Sequence, residues 1–188
     1  MPSIKIINSK PCTILPLENL SSLWNGIKIQ NGFEYSVSHD SNYINLIIQS
    51  NCTPWIFPET SCNTFYQGLW QRDLFEIFLF DKETGLYQEL EFAPNGAWWS
   101  WAYPAPRTWL IGFQKPQVQV VKESIMMGWK ISASIKISSL CINFNSKNLY
   151  GNICGVIGEN PRNYFSLVEL PGSKVNFHQP DRFIKVIT

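Results

Sequence analysis

LWQRDLFEIFLFD, Leu69 to Asp81, is followed by the turn KETG and then by LYQELEFAPNGAWWSWAYPAP, Leu86 to Pro106. Two strands joined by a tight connection are the simplest reading of this stretch. Strict alternation along the first strand sets Leu74, Glu76, Phe78 and Phe80 on one face, with Asp73, Phe75, Ile77 and Leu79 on the other. In the second half, alternation sets Trp99, Trp101 and Tyr103 in a row, with Trp98 and Ala102 facing the opposite way.

Working outward, short apolar runs recur between Asn, Gly, Ser and Asp residues. IKII near Ile4, FEYSV from Phe33, YINLIIQ from Tyr43, VQVV, GWKISASI, GNICGVIG and NYFSLVEL are candidate strands. The segment NCTPWIFPETSCNTFYQ, Asn51 to Gln67, has two prolines and little alternation, and reads as a long surface loop. Short helical turns are expected near Ile137 to Leu140 and near Pro180. The pattern predicts an all-β fold, an antiparallel β-sandwich of two packed sheets. No repeat, low-complexity tract or linker interrupts residues 1–188, so one domain with one core is expected.

Composition narrows the partners. With 45% hydrophobic residues, 15% charged residues and a net charge of +1, the chain has no basic field for nucleic acid or an anionic membrane, so a neutral partner is expected. Eight Trp, seven Tyr and twelve Phe exceed what one core needs, so some should be exposed. Cys12, Cys52, Cys62, Cys141 and Cys154 form no CxxC pair and no Cys/His grouping, which argues against zinc. Buried free thiols are the simplest reading. The opening MPSIKIINSK lacks an apolar leader and no later stretch is long enough to span a bilayer. As written the chain reads as cytoplasmic. A secreted or periplasmic protein with its leader removed would look the same, and Cys52 could then pair with Cys62.

Several residues are candidates for chemistry. Glu76 falls among apolar neighbours and needs a partner, either Arg107 or Arg72 in a buried ion pair or a ligand hydroxyl. Asp73 and Glu76, an odd number of positions apart, face opposite sides and make a poor glycosidase pair. Glu89 and Glu91 share a face, and charged residues at alternate positions usually mark the solvated side of a sheet. Trp99, Trp101 and Tyr103 either join the core or form a flat stripe of the kind on which sugar rings stack. His39 reads as a turn residue and His178, in NFHQPDRF, as an anchor for the C-terminal segment. No Ser/His/Asp or Cys/His arrangement accompanies them, and GVIGENP lacks the Lys and third Gly of a phosphate loop.

The W-x-x-D-x-x-E-I-F segment of Trp70, Asp73 and Glu76, the Y-x-E-x-x-F-x-P-N-G hairpin of Tyr87 to Gly96, the GWKISASIKISSL segment and the closing FHQPDRF together resemble DOMON-like domains related to family-nine carbohydrate-binding modules. The resemblance implies a β-sandwich and a non-catalytic domain that clamps a sugar between two tryptophans. Trp70 matches the first clamp Trp and Glu76 a polar ligand contact. Glu89 and Glu91 replace the family's Arg and Asn on the next strand. No Trp follows Trp129, leaving Tyr164 or Phe165 as stand-ins for the second clamp residue. The expected site is therefore built around Trp70 with Trp99 or Trp101 and the Trp55 loop, and Glu76, Glu89, Glu91 and Arg107 as polar contacts. No cofactor or metal is expected, with structural calcium or haem b as alternatives. Other DOMON relatives bind haem, which makes a non-covalent haem domain using Met126, Met127, His39 or His178 a rival reading. A protein-interaction domain without a small ligand is the third.

Overall fold

Continuous apolar runs and alternating runs become two kinds of strand, and that difference organises the molecule. The computed structural model describes residues 3–9 and 16–187. In chain order the strands are β1 (Ser3–Lys5), β2 (Ile7–Asn8), β3 (Glu18–Ser22), β4 (Lys28–His39), β5 (Tyr43–Ser50), β6 (Leu74–Asp81), β7 (Leu86–Phe92), β8 (Trp98–Tyr103), β9 (Val118–Glu123), β10 (Trp129–Lys136), β11 (Leu149–Ile157), β12 (Asn163–Ser166) and β13 (Ile184–Ile187). They form a seven-stranded sheet, β1-β13-β11-β6-β7-β8 with β12 also beside β11, and a six-stranded sheet, β2-β4-β5-β10-β9 with β3 also beside β4. The pairings are antiparallel except β1 with β13 and β2 with β4. This is the expected all-β sandwich. Among the described residues no helix is long and apolar enough to cross a membrane.

Between the sheets, Phe75, Ile77 and Leu79 of β6, Leu90 and Phe92 of β7 and Trp98 of β8 meet Phe33, Tyr35, Leu46, Ile48 and Ile131. Phe33 is central: its ring lies 5.6 Å from Phe75, 5.9 Å from Trp129 and 5.5 Å from Phe165, all edge to face. Such pairs add about 0.5–1.5 kcal/mol each beyond the area they bury. Gly155 on β11 makes room for this ring, since a Cβ there would stand 2.3 Å from Phe33 Cε2.

The six-stranded sheet has one solvated face: on β10, Trp129, Ile131, Ala133 and Ile135 are buried while Lys130, Ser132 and Ser134 are half-exposed. The centre of the seven-stranded sheet, β6, β7 and β11, is buried on both sides. The sheet's outer face carries Leu74, Phe78, Tyr87, Trp99, Tyr103, Cys154 and Val156, covered by Leu69, Leu170, Phe177 and Phe183 from the connections. The described residues thus form two apolar clusters on either side of one sheet, where a single core was expected.

The segment 51–68 runs as a long connection with only an isolated bridge at Phe65, as expected. The 3-10 turns at Ile137–Ser139 and Pro180–Arg182 also fall where the sequence placed them. A third turn, Leu69–Gln71, corrects the reading of Trp70 as a strand residue. Gly68 enters it at φ 99°, a left-handed conformation that glycine adopts freely, and Arg72 N–H closes it on Leu69 O at 2.9 Å. Cys52, Cys62, Cys141 and Cys154 are free thiols, so Cys52 and Cys62 do not pair.

Candidate functional site

Strand register gathers the site on the outer face of the seven-stranded sheet. Pairing of β6 with β7 sets Glu76 opposite Glu91 and Phe78 opposite Glu89. Pairing of β7 with β8 sets Glu91 opposite Trp99, Glu89 opposite Trp101 and Tyr87 opposite Tyr103. Because alternate residues share a face, Glu76, Glu89 and Glu91 meet, with one oxygen from each lying within 4.8 Å of the others. All three are buried, at 3%, 4% and 1% exposure. The reading of Glu89 and Glu91 as the solvated side of a sheet is therefore corrected: connections cover this face.

The expected ion pair of Glu76 with Arg107 or Arg72 is not formed. Among the described residues no Lys or Arg nitrogen lies within 4.0 Å of the three carboxylates. Arg107 Nη2 donates instead to Asn176 Oδ1 at 3.1 Å, and Arg72 lies over the rings of Trp55 at 4.2 Å and Phe57 at 4.4 Å. Burial, followed by repulsion from Glu89, pushes Glu76 and Glu91 well above the ordinary carboxylate range. Burial also raises Glu89, but the Tyr103 hydroxyl, donating to Glu89 Oε2 at 2.7 Å, favours its ionised form. Burial and mutual repulsion thus disfavour ionisation most at Glu76 and Glu91, and the Tyr103 hydrogen bond offsets part of that at Glu89.

His178 joins this network rather than serving only as an anchor. Its Nδ1 lies 3.0 Å from the Tyr87 hydroxyl and its Nε2 3.9 Å from Glu89 Oε2. Burial, with the nearby positive charge of Arg107, lowers its pKa to about 4, so the ring is neutral at physiological pH.

Above the carboxylates opens a cavity of about 350 Å³. Trp99 and Tyr103 form its floor with the three glutamates, while Trp70, Trp109, Tyr164, Val175 and Phe177 stand around it. Trp99 is only 2% exposed, whereas Trp70 and Trp109 beside it are 44% and 45% exposed. Their rings lie 5.8 Å and 6.2 Å from the Trp99 ring. The flat exposed stripe is thus replaced by a buried floor in contact with two half-exposed indoles.

Of the residues singled out in the sequence, Trp70, Glu76, Trp99, Glu89, Glu91 and Arg107 line this one cavity. Trp101 does not: it is stacked at 6.1 Å on Trp99 and at 4.5 Å on Phe113, and lies 4.6 Å from Trp109. Trp55 does not line it either, because its ring is occupied by Arg72 and by Arg162, the latter at 5.2 Å. Tyr164 lines the cavity while Phe165 is buried between the sheets. Sequence reasoning missed Trp109, whose only signal was a large aromatic in a Pro-rich connection, PAPRTW.

No protein-family model and no curated protein matches the sequence. Solved structures do. A Bacteroides uniformis protein named as a candidate carbohydrate-binding protein superposes with a TM-score of 0.65 at 12% identity, covering 98% of this chain and 96% of that one. A family 9 carbohydrate-binding module from Caldicellulosiruptor kristjanssonii in complex with glucose gives 0.59 at 14% identity over 99% and 96% of the two chains. Its complex with cellotriose gives 0.57 at 15% identity over 98% and 93%. The chain shares the fold of family 9 carbohydrate-binding modules.

Within this family 9 fold, the haem ligands named above are not brought together. His39 pairs with Ile44 at one end of β5, while Trp129, next to the turn that carries Met126 and Met127, pairs with Ser50 at the other. That separation is about 20 Å along a strand. His178 lies on the opposite sheet's outer face. For a metal, the glutamate cluster offers three oxygens. A glycosidase needs carboxyls flanking the scissile bond. Here all three rise from the floor, and the facing walls are aromatic.

Proposed function

We propose that this chain is a non-catalytic carbohydrate-binding module, with the saccharide seated between Trp70 and Trp109 over the Trp99 floor. The observation that carries this reading is the combination of two half-exposed indoles with buried polar groups in one cavity. A pyranose presents CH faces to aromatic rings and hydroxyls to fixed acceptors, and this cavity supplies both. The relation of the fold to modules in complex with glucose and cellotriose supports the same reading. Each stacked ring contributes on the order of 1–2 kcal/mol, so two rings with a few hydrogen bonds give binding in the micromolar to millimolar range.

Calorimetric and fluorescence titration with glucose, cellotriose and a panel of other glycans tests the proposal. Saturable heat and a change in tryptophan emission are expected for at least one sugar. Silence from the whole panel up to about 10 mM would overturn it.

A further inference from the structure

Three buried carboxyls converge at one point of the cavity. We propose that the cavity takes a sugar carrying a primary ammonium group, the ammonium resting on Glu76, Glu89 and Glu91 while the ring lies against Trp70 and Trp99. This rests on the carbohydrate reading and names the class of sugar.

Three observations support it. The carboxyls come from adjacent strands with oxygens within 4.8 Å of one another, and no Lys or Arg nitrogen among the described residues approaches them within 4.0 Å. Glu91, 1% exposed and lining the cavity, has an Oε2 with no hydrogen-bond partner. A buried acceptor left open in this way costs free energy until a donor reaches it. The half-exposed indoles of Trp70 and Trp109 and the ring of Trp99 present π faces and edges around the same space, and π faces attract cations.

The chemistry of the floor selects among ligands. An ammonium has three donors and no acceptor, which matches three converging carboxylates. A sugar hydroxyl brings one donor and no charge, so it offsets none of the cost of ionising buried carboxyls. A calcium ion wants six to eight oxygens, yet the surrounding walls of Trp70, Trp99, Trp109 and Phe177 supply aromatic carbon.

The other charged and titratable groups around the cluster do not take the ammonium's place. Tyr103 on β8 gives its proton to a hydrogen bond with Glu89, and Cys154 on β11 is held as a thiol by burial. His178 is neutral, and the guanidinium of Arg107 is turned to Asn176. Seating an ammonium in place of one proton of the cluster leaves its net charge unchanged, so binding releases up to one proton to the buffer.

The test is calorimetry on the full chain near neutral pH with glucosamine, glucose and N-acetylglucosamine, repeated in two buffers of different ionisation enthalpy. Glucosamine is expected to bind about ten-fold or more tighter than the other two, with proton release. Glu91→Gln should abolish the preference, so that glucosamine and glucose bind the variant with equal affinity. Glu76→Gln serves the same purpose if the first variant does not fold. Glucosamine no tighter than glucose overturns the ammonium assignment and leaves the carbohydrate reading standing. No binding by any of these sugars or by cellotriose removes both. Terbium or calcium binding that is lost in Glu91→Gln and competes with glucosamine overturns the assignment in favour of a divalent cation.

Discussion

Replacing Asp73 by Asn tests how the Trp55 connection is tied to the rest of the molecule. Asp73 is fully buried, and its carboxylate accepts the Gly158 N–H at 2.7 Å through Oδ1 and the Trp55 N–H at 2.9 Å through Oδ2. Its own N–H donates to Trp55 O at 2.9 Å. The clip therefore joins the connection before β6 to the end of β11. An Asn keeps one acceptor oxygen and turns an NH₂ toward the other N–H, leaving a buried donor unmet at a cost of about 1–3 kcal/mol, and it replaces a charge-assisted bond with a neutral one. Working the other way, burial raises the Asp73 carboxyl above its ordinary value despite both N–H donors. Removing the charge returns part of that desolvation cost. The unmet donor outweighs the relief, and the net loss is about 1–3 kcal/mol, or a fall of about 2–12 °C in Tm for a chain of this size. Thermal melts followed by circular dichroism measure it. Arg162 Nη2 still donates to Trp70 O at 2.7 Å and to Arg72 O at 3.0 Å, so the turn that carries Trp70 stays held and ligand affinity should barely change. A Tm equal to or above wild type would refute the reasoning, because desolvation would then exceed both hydrogen bonds.

Two further outcomes follow from the site. Trp99→Ala, which empties a buried floor position, should cost about 3–5 kcal/mol in urea denaturation, whereas Trp70→Ala, at 44% exposure, should cost about 1–2 kcal/mol and mainly weaken ligand binding; the reverse order would place Trp70 in the core. The pH dependence has opposing parts: His178, lowered from 6.5 to about 4, binds its proton more readily in the unfolded chain, so its contribution to stability grows as pH rises through that window. Glu76 and Glu91, raised by burial, hold protons in the native state that the unfolded chain has lost above about 4.5, so their contribution falls as pH rises. Above about pH 6.5 the histidine adds no further change, so stability should fall with rising pH while the raised carboxyls give up their protons, and Glu91→Gln should lose less than wild type; equal slopes in thermal melts would show that the cluster does not hold its protons.

Much of the architecture was legible because it is local. The period-two pattern from Leu74 to Phe80 sorted core from outer face correctly: Phe75, Ile77 and Leu79 pack between the sheets and Leu74 and Phe78 do not. The same reasoning separated Trp98 from Trp99 and Tyr103. The start of β6 was misread by five residues, since the apolar character of Leu69 and Trp70 says nothing of the left-handed Gly68 that starts a turn there. β3, with only Leu20 buried, carries too little apolar signal to be seen as a strand.

The site was harder to see because its decisive contacts are not local. Alternation alone leaves Glu89 and Glu91 on a face without saying what covers it, and polar residues at alternate positions normally face water. The cover is supplied by Leu69, Leu170, Phe177 and Phe183, from connections remote in sequence from β7. Likewise, Glu76 meets Glu91 only through the β6–β7 register, and a slip of one residue would turn one of the strands over and scatter the cluster. Trp101 shows the converse: it shares the face of Trp99, but Trp109 and Phe113 fold over it. What a strand pattern offers a ligand is thus set by the loops laid across it, and here the 104–117 connection both hides Trp101 and supplies Trp109 as the second half-exposed indole.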